Sequence, residues 1–288
     1  MKGIILAGGT GSRLFPATIA TSKQLLPIYD KPLIYYPLSI LMLANIKNIL
    51  IICRPNDRPA FETLLSDGSQ LGIKISYANQ DRPRGLADAF IVGEKFIKND
   101  DVCLVLGDNI FYGNGLVEKL IKNVRNKIGS TVFCHPVSNP SQYGNLVLDS
   151  CLRPILISEK PKKPRSNLAI TGLYFFDKNV SKIAKKVRPS KRGELEITDI
   201  IKNYLTNKKL HVEILGRGYC WFDTGTHESM ITAGKFIESI EQRQGIKIAC
   251  IEEIAYRKRW IDQKNFFKII KKLKNSKYAE YLNSVLNL

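Results

Sequence analysis

Ile4-Ile5-Leu6-Ala7-Gly8-Gly9-Thr10-Gly11-Ser12-Arg13 is the stretch that decides the fold. Its first four residues are a short apolar run, which reads as a buried strand. The run opens directly into a glycine-dense loop. Glycine has no Cβ, so the backbone N–H groups of such a loop can approach an anion closely and hold phosphate oxygens. Arg13 adds a permanent charge whose forked donors suit phosphate. A plain tight turn would also explain the glycines, but it leaves Arg13 without a task. The loop is not a P-loop, because no Gly-Lys-Ser/Thr follows. Nor is it a dinucleotide fingerprint, because Leu14 stands where the third glycine should be.

Outward from this loop, strand and helix patterns alternate. Ile49–Cys53 and Val102–Leu106 are continuous apolar runs, Ile73–Tyr77 alternates, and Thr131–Cys134 completes the first half. Between them, Leu38–Ala44, Pro59–Leu65, Gly85–Phe96 and Gly115–Asn126 have helical spacing, while Pro27, Pro32 and Pro37 argue against a long helix in their own region. Such alternation predicts βαβ units, with ligands bound outside the carboxyl ends of the strands. The glycine loop and Asp108 both follow strand ends, so they can face one site. The second half is richer in strands: Asn145–Leu148, Leu156–Glu159, Ala169–Phe176, His211–Ile214 and Tyr219–Phe222. Helices are expected over Gly193–Leu205, Thr226–Ile240 and most of 246–288. The expected fold class is α/β: a Rossmann-like, mostly parallel mixed sheet flanked by helices, with a C-terminal helical region. One domain spans 1–245, and 246–288 is an extension packed on it.

Composition excludes several classes. Over 288 residues, 44% hydrophobic and 24% charged content is ordinary for a soluble globular protein. No apolar run is long enough to cross a bilayer, so no membrane partner is expected. Met1-Lys2 leads straight into a strand, so no signal peptide is expected and the cytoplasm is the expected compartment. The six cysteines are scattered without a C-x-x-C and read as reduced core residues. Three histidines lie far apart, which argues against a histidine metal site. The net charge of +18 would suit a polyanion, but no nucleic-acid-binding signature accompanies it. A solvated basic surface that attracts anionic substrates is the better reading. The lysines between Lys264 and Lys274 fit the wet face of a packed helix at least as well as a membrane-surface helix.

Several motifs in order then carry a resemblance. Leu6 to Leu14, followed by Pro16, resembles the signature of sugar-1-phosphate nucleotidylyltransferases. Ser22-Lys23-Gln24-Leu25-Leu26-Pro27, Gly107-Asp108-Asn109, Glu159-Lys160-Pro161, Thr171-Gly172-Leu173-Tyr174, Arg192-Gly193-Glu194-Leu195-Glu196 and Asp223-Thr224-Gly225-Thr226-His227 resemble the glucose-1-phosphate thymidylyltransferase branch. Uridylyltransferases for the same sugar usually carry an acidic residue at the position of Gln24.

The resemblance implies a reaction of dTTP with glucose 1-phosphate, by direct in-line attack at the α-phosphorus, giving dTDP-glucose and pyrophosphate. It implies a nucleotide-binding half over about 1–135 and a sugar-phosphate-binding half over about 136–245. Gly8, Gly9, Thr10, Gly11, Ser12, Arg13, Lys23, Gln24 and Asp108 would line the nucleotide site, with Gln80 and Gly85 reading the base. Arg13, Lys23, Lys160 and Arg192 would carry the catalytic charge. Asn109, Tyr143, Gly144, Glu159, Lys160, Ile170 and Arg192 would bind the sugar phosphate. Asp108 and Asp223 would hold Mg²⁺, since hard carboxylate oxygens suit that ion. An ion pair with Glu159 is a rival task for Lys160, and strand packing one for Ile170.

Uracil offers the same O4/N3 edge as thymine, so UTP stays open as a substrate. The resemblance also implies a homotetramer and feedback inhibition by dTDP-L-rhamnose, with no nucleic-acid partner. Two residues depart from the usual pattern: Asn145, where relatives usually have Val, and Asp88, where Gln is common. Asp88 brings negative charge near the expected base pocket, although helix geometry can turn it away.

Overall fold

Alternation along Lys2–Ala7 (β1) sets the two faces of the sheet. In this computed structural model, which describes residues 1–126 and 129–286, Ile5 enters one apolar core and Ile4 the other, both fully buried. The pattern repeats in Asn48–Cys53 (β2), where Ile49 and Ile51 face one way and Leu50 and Ile52 the other. A strand covered on both faces reads as an unbroken apolar run, which is why these segments are so poor in polar residues. β2 and Lys74–Asn79 (β3) pair parallel, and β1 lies parallel between β2 and Val102–Leu106 (β4).

The chain then leaves this sheet. Asn109–Gly113 (β5) instead forms a two-stranded antiparallel ribbon with a much later strand. The main sheet resumes with Ser130–Pro136 (β6), Gly144–Leu148 (β7), Pro154–Glu159 (β8), Leu168–Phe176 (β9) and Leu210–Ile214 (β10). Its order is β8-β7-β9-β4-β1-β2-β3, with β6 also on β9 and β10 parallel to β6. β9 runs antiparallel to β4, β6 and β7, so the strand-rich half is grafted onto a parallel half. The partner of β5 is Tyr219–Asp223 (β11). The expected α/β class, a mixed sheet flanked by helices, is the one observed.

Helix Tyr35–Leu43 and the three C-terminal helices, Ile251–Arg257, Gln263–Lys272 and Lys277–Val285, share the first core. Phe266 and Ile270 point into that core, so the basic helix is a packed one. Residues 287 and 288 of the expected extension lie outside the described residues. The helix His227–Gln244 covers the β5/β11 ribbon, forming a third, smaller core with Ile110, Ala233 and Ile237.

Some local expectations are corrected. Pro37 sits inside the first turn of its helix, where the missing N–H has no intrahelical partner to lose. The helix expected over Gly85–Phe96 is two short ones, Asp88–Val92 and Glu94–Ile97, broken at Gly93. The helix expected from Gly193 starts at Ile197, because residues 190–196 form a loop whose carboxylates grip Arg192. Four cysteines are buried as expected, but Cys151 is exposed and Cys220 half-buried; all six are free. No described helix is long and apolar enough to cross a membrane.

Candidate active site

The loop after β1 builds the first wall of the site. Gly11 adopts φ 65°, and the carbonyl of Gly11 accepts from Thr18 Oγ1 at 2.8 Å. Leu14, fully buried, anchors the far end of the loop. Gly9, Thr10, Ser12 and Arg13 are therefore left exposed at the carboxyl end of the sheet. They line a cavity of ≈ 400 Å³ with Lys23, Gln24, Gln80, Gly85, Leu86 and Asp108. Gly8 lies beneath it, buried, with the Gln80 amide packed over its Cα.

This cavity has both charged and apolar lining residues. Arg13 and Lys23 stand at the loop end, while Leu6, Pro83, Leu86 and Leu106 make an apolar slot suited to a flat ring. Gly85 holds the slot open: its φ of 106° favours glycine, and a Cβ there would come within 2.5 Å of the Leu195 carbonyl. Leu195 pins the loop on both sides, donating to the Arg84 carbonyl at 2.6 Å and accepting from Ala87 N–H at 3.1 Å.

A second cavity of ≈ 220 Å³ adjoins the first, sharing Arg13, Leu86, Leu106, Asp108 and Glu194. It is lined further by Asn109, Tyr143, Gly144, Glu159, Lys160, Ile170, Arg192, Thr198, Trp221 and Asp223. Two acids stand at the junction. Thr224 N and Thr224 Oγ1 both donate to the Asp108 carbonyl, at 3.1 and 2.8 Å, and tie the two turns together. A reciprocal cap between Thr226 and Ser229 then starts the following helix and fixes the direction of the Asp223 turn.

The two carboxyls are not equivalent. Burial alone would raise the pKa of Asp108, but the Lys23 ammonium on Oδ2 and the Asn109 amide reverse this and hold it below the usual range. Burial pushes Asp223 up, and the nearby Asp108 charge pushes it further. Two hard carboxylates this close fit a divalent cation that takes its other ligands from phosphate and water. Among the described residues no third acid, histidine or cysteine joins them, so the protein alone does not enclose an ion.

Every residue expected at the site except Gly8 lines one of the two cavities, but several are engaged differently than expected. Asn109 is 2 % exposed, and its amide is occupied: Oδ1 accepts from Gly172 N–H at 3.0 Å and Trp221 Nε1 at 2.6 Å, and Nδ2 donates to Asp108 at 2.9 Å. It braces Asp108 more than it reaches for a sugar. Glu159 pairs with Arg192 at 3.2 Å rather than with Lys160, and accepts from Thr198 at 3.0 Å. Burial, then the Glu196 charge, raise its pKa. Arg192 also meets Glu194 and Glu196, so a phosphate must compete with three carboxylates for it. Lys160 sits at φ 39°, rare for a side-chain-bearing residue, with its N–H on the Tyr143 carbonyl at 3.1 Å.

Asp88 is not turned away. It is buried against Gln80, at the back of the first cavity. Sequence reasoning misses the contributions of Trp221 and Thr198, and marks Asp88 only as a departure that brings negative charge near the base pocket. Thr198 lies two residues past the Arg192–Glu196 motif, so its place in the site has a signal; Trp221, two residues before Asp223, has only a weak one.

The nucleotidyl transferase family matches residues 2–240. A glucose-1-phosphate thymidylyltransferase of Neisseria meningitidis is 51% identical over 286 residues, covering 99% of each chain. The chain belongs to the glucose-1-phosphate thymidylyltransferase family. A relative of that name from Mycolicibacterium smegmatis is 49% identical over 287 residues, covering 100% of this chain and 99% of that one. Among solved structures, a putative glucose-1-phosphate thymidylyltransferase from Bacillus anthracis in complex with sucrose superposes with TM-score 0.76 and 38% identity, covering 82% of this chain and 94% of that one. A UDP-glucose pyrophosphorylase complexed with UDP-glucose superposes with TM-score 0.72 and 25% identity, covering 83% and 98%.

Proposed function

We propose that the chain transfers a thymidylyl group from dTTP to α-D-glucose 1-phosphate, forming dTDP-glucose and pyrophosphate. One observation carries the reading: two cavities, one with an apolar slot and a cationic loop, the other rimmed by polar groups, share a wall containing Arg13 and Asp108. That junction is where an α-phosphorus and a sugar phosphate oxygen would meet. The oxygen bonds to the α-phosphorus as the bond from that phosphorus to the α–β bridging oxygen breaks, and that oxygen leaves with its electron pair as a terminal oxygen of pyrophosphate. The attacking oxygen is already anionic, so no general base is required. The obstacle is repulsion between two anions. Unit charges 4 Å apart at an effective dielectric of about 20 interact by about 4 kcal/mol. A cation raises the rate to the extent that it offsets this repulsion more in the transition state than in the ground state.

The residues divide this task. The N–H groups of Gly8–Arg13 and the Arg13 guanidinium hold the outer phosphates and take the charge of the departing pyrophosphate. Lys23 exchanges its Asp108 partner for the triphosphate. Lys160 and Arg192 hold the sugar phosphate, and Glu159 accepts hydroxyl hydrogen bonds with Gly144 and Ile170 alongside. Gln80 and Gly85 meet the base. Asp108 and Asp223 fit Mg²⁺, which would supply charge neutralisation and a template for the phosphates when bound. These residue roles, the homotetramer, feedback by dTDP-L-rhamnose and a cytoplasmic setting rest on the resemblance of the motifs to the family.

Pyrophosphate release should be measured with dTTP and UTP, each against glucose 1-phosphate and other hexose 1-phosphates. The reading expects dTTP with glucose 1-phosphate to give the highest kcat/KM. UTP far outrunning dTTP would remove it.

A further inference from the structure

Asp88 lines neither cavity, yet it is bonded to a residue that lines the first. Its carboxylate is 1 % exposed. Oδ2 accepts from Gln80 Nε2 at 2.8 Å, and Oδ1 accepts from the Arg84 guanidinium at 2.8 Å. A carboxylate in an ion pair can only accept, so the end of the Gln80 amide that faces it must be the NH2 end. The reverse orientation would set oxygen against oxygen in a buried place. Gln80 Oε1 is thereby turned over Gly8, where even a methyl group would collide with it. Gln80 forms part of the wall beside the apolar slot.

We infer that Asp88 is a specificity-determining positioning residue: by locking the Gln80 amide it presents a fixed acceptor to the base. The inference rests on the proposed function for the assignment of the slot to the base. A fixed acceptor selects pyrimidines whose ring N3 carries a hydrogen, which are thymine and uracil. Cytosine offers a lone pair at N3, and acceptor against acceptor leaves both groups unpaired at a desolvated site. An asparagine in place of the acid would both donate and accept, so the Gln80 amide could turn over and donate to cytosine N3. The exposed Arg84 holds the acid from outside the cavity and restricts its rotation.

The test compares kcat/KM for dTTP and dCTP, with glucose 1-phosphate, in wild type, Asp88→Asn, Arg84→Met and the swap Gln80→Glu/Asp88→Asn. Using deoxynucleotides keeps the sugar constant. Asp88→Asn is expected to lower the dTTP:dCTP ratio about tenfold, the worth of roughly one hydrogen bond. Arg84→Met should lower it less. The swap should restore the ratio, because the introduced amide can donate to one oxygen of the introduced carboxylate and leave the other as a fixed acceptor. A simple structural role would depress both nucleotides together and leave the ratio unchanged. An unchanged ratio in Asp88→Asn, or in Arg84→Met should the first variant not fold, overturns the inference, as does a swap that fails to recover it. Wild-type protein that releases no pyrophosphate from dTTP would instead remove the functional reading on which it stands.

Discussion

The ammonium of Lys23 rests on Oδ2 of Asp108, at the junction of the two cavities. A positive charge from the chain thus sits where the proposed function places a metal ion. Lys23→Met should therefore act in opposite directions on two ligands. Affinity for Mn²⁺ without nucleotide, read by electron paramagnetic resonance, should rise because the ammonium no longer competes. Affinity for dTTP should fall by about tenfold or more, the worth of a charge-assisted hydrogen bond. Parallel losses of both would show that Lys23 does not leave Asp108 when nucleotide binds.

Asp108→Asn and Asp223→Asn should each lower turnover by roughly a thousandfold with little change in melting temperature. The pH behaviour should separate them. Because burial and the Asp108 charge raise the Asp223 pKa, Asp223 takes up a proton at a higher pH than an ordinary aspartate. Half-saturating Mg²⁺ should consequently increase as pH falls toward the acid side, and this dependence should flatten in Asp223→Asn. Titrations of rate against Mg²⁺ at several pH values check it.

Lys160→Met should raise KM for glucose 1-phosphate much more than KM for dTTP, since Lys160 lines only the second cavity. Equal increases would assign it to holding the strained turn after β8 instead.

Glu213 offers a test away from the site. Burial works to raise its pKa, but Lys119 and Lys122, at 2.8 and 2.9 Å, override this and lower it. A depressed folded-state value means stability that is present above the unfolded pKa and lost as pH falls through the folded one. Glu213→Gln should lower the melting temperature at pH 7 by a few degrees, on the order of 1 kcal/mol. The gap to wild type should close in acid. Scanning calorimetry from neutral to acid pH reads both.

Much of the site was legible because its parts are short-range. The glycine loop, Arg13, Lys23 and both acids lie in contiguous motifs, and apolar runs ending at Ala7 and Leu106 put the glycine loop and Asp108 at the carboxyl end of one sheet. What escaped depends on long-range partners. The β5/β11 ribbon joins segments far apart in the chain, and Asn109–Gly113 carries no pattern that separates it from a turn. Asp88 has the same difficulty. Its sequence neighbours describe a helix start, and only the tertiary structure reveals that Gln80 and Arg84 converge on it. The state of Arg192 could not be read either, because one of its carboxylate partners, Glu159, comes from β8.

Thr224 is bonded twice to the Asp108 carbonyl, although 116 residues of chain separate the two. The proposed cation ligands are therefore riveted at the backbone instead of being mounted on opposing jaws. The seam that carries both acids is thereby held by the main chain itself, whatever occupies either cavity.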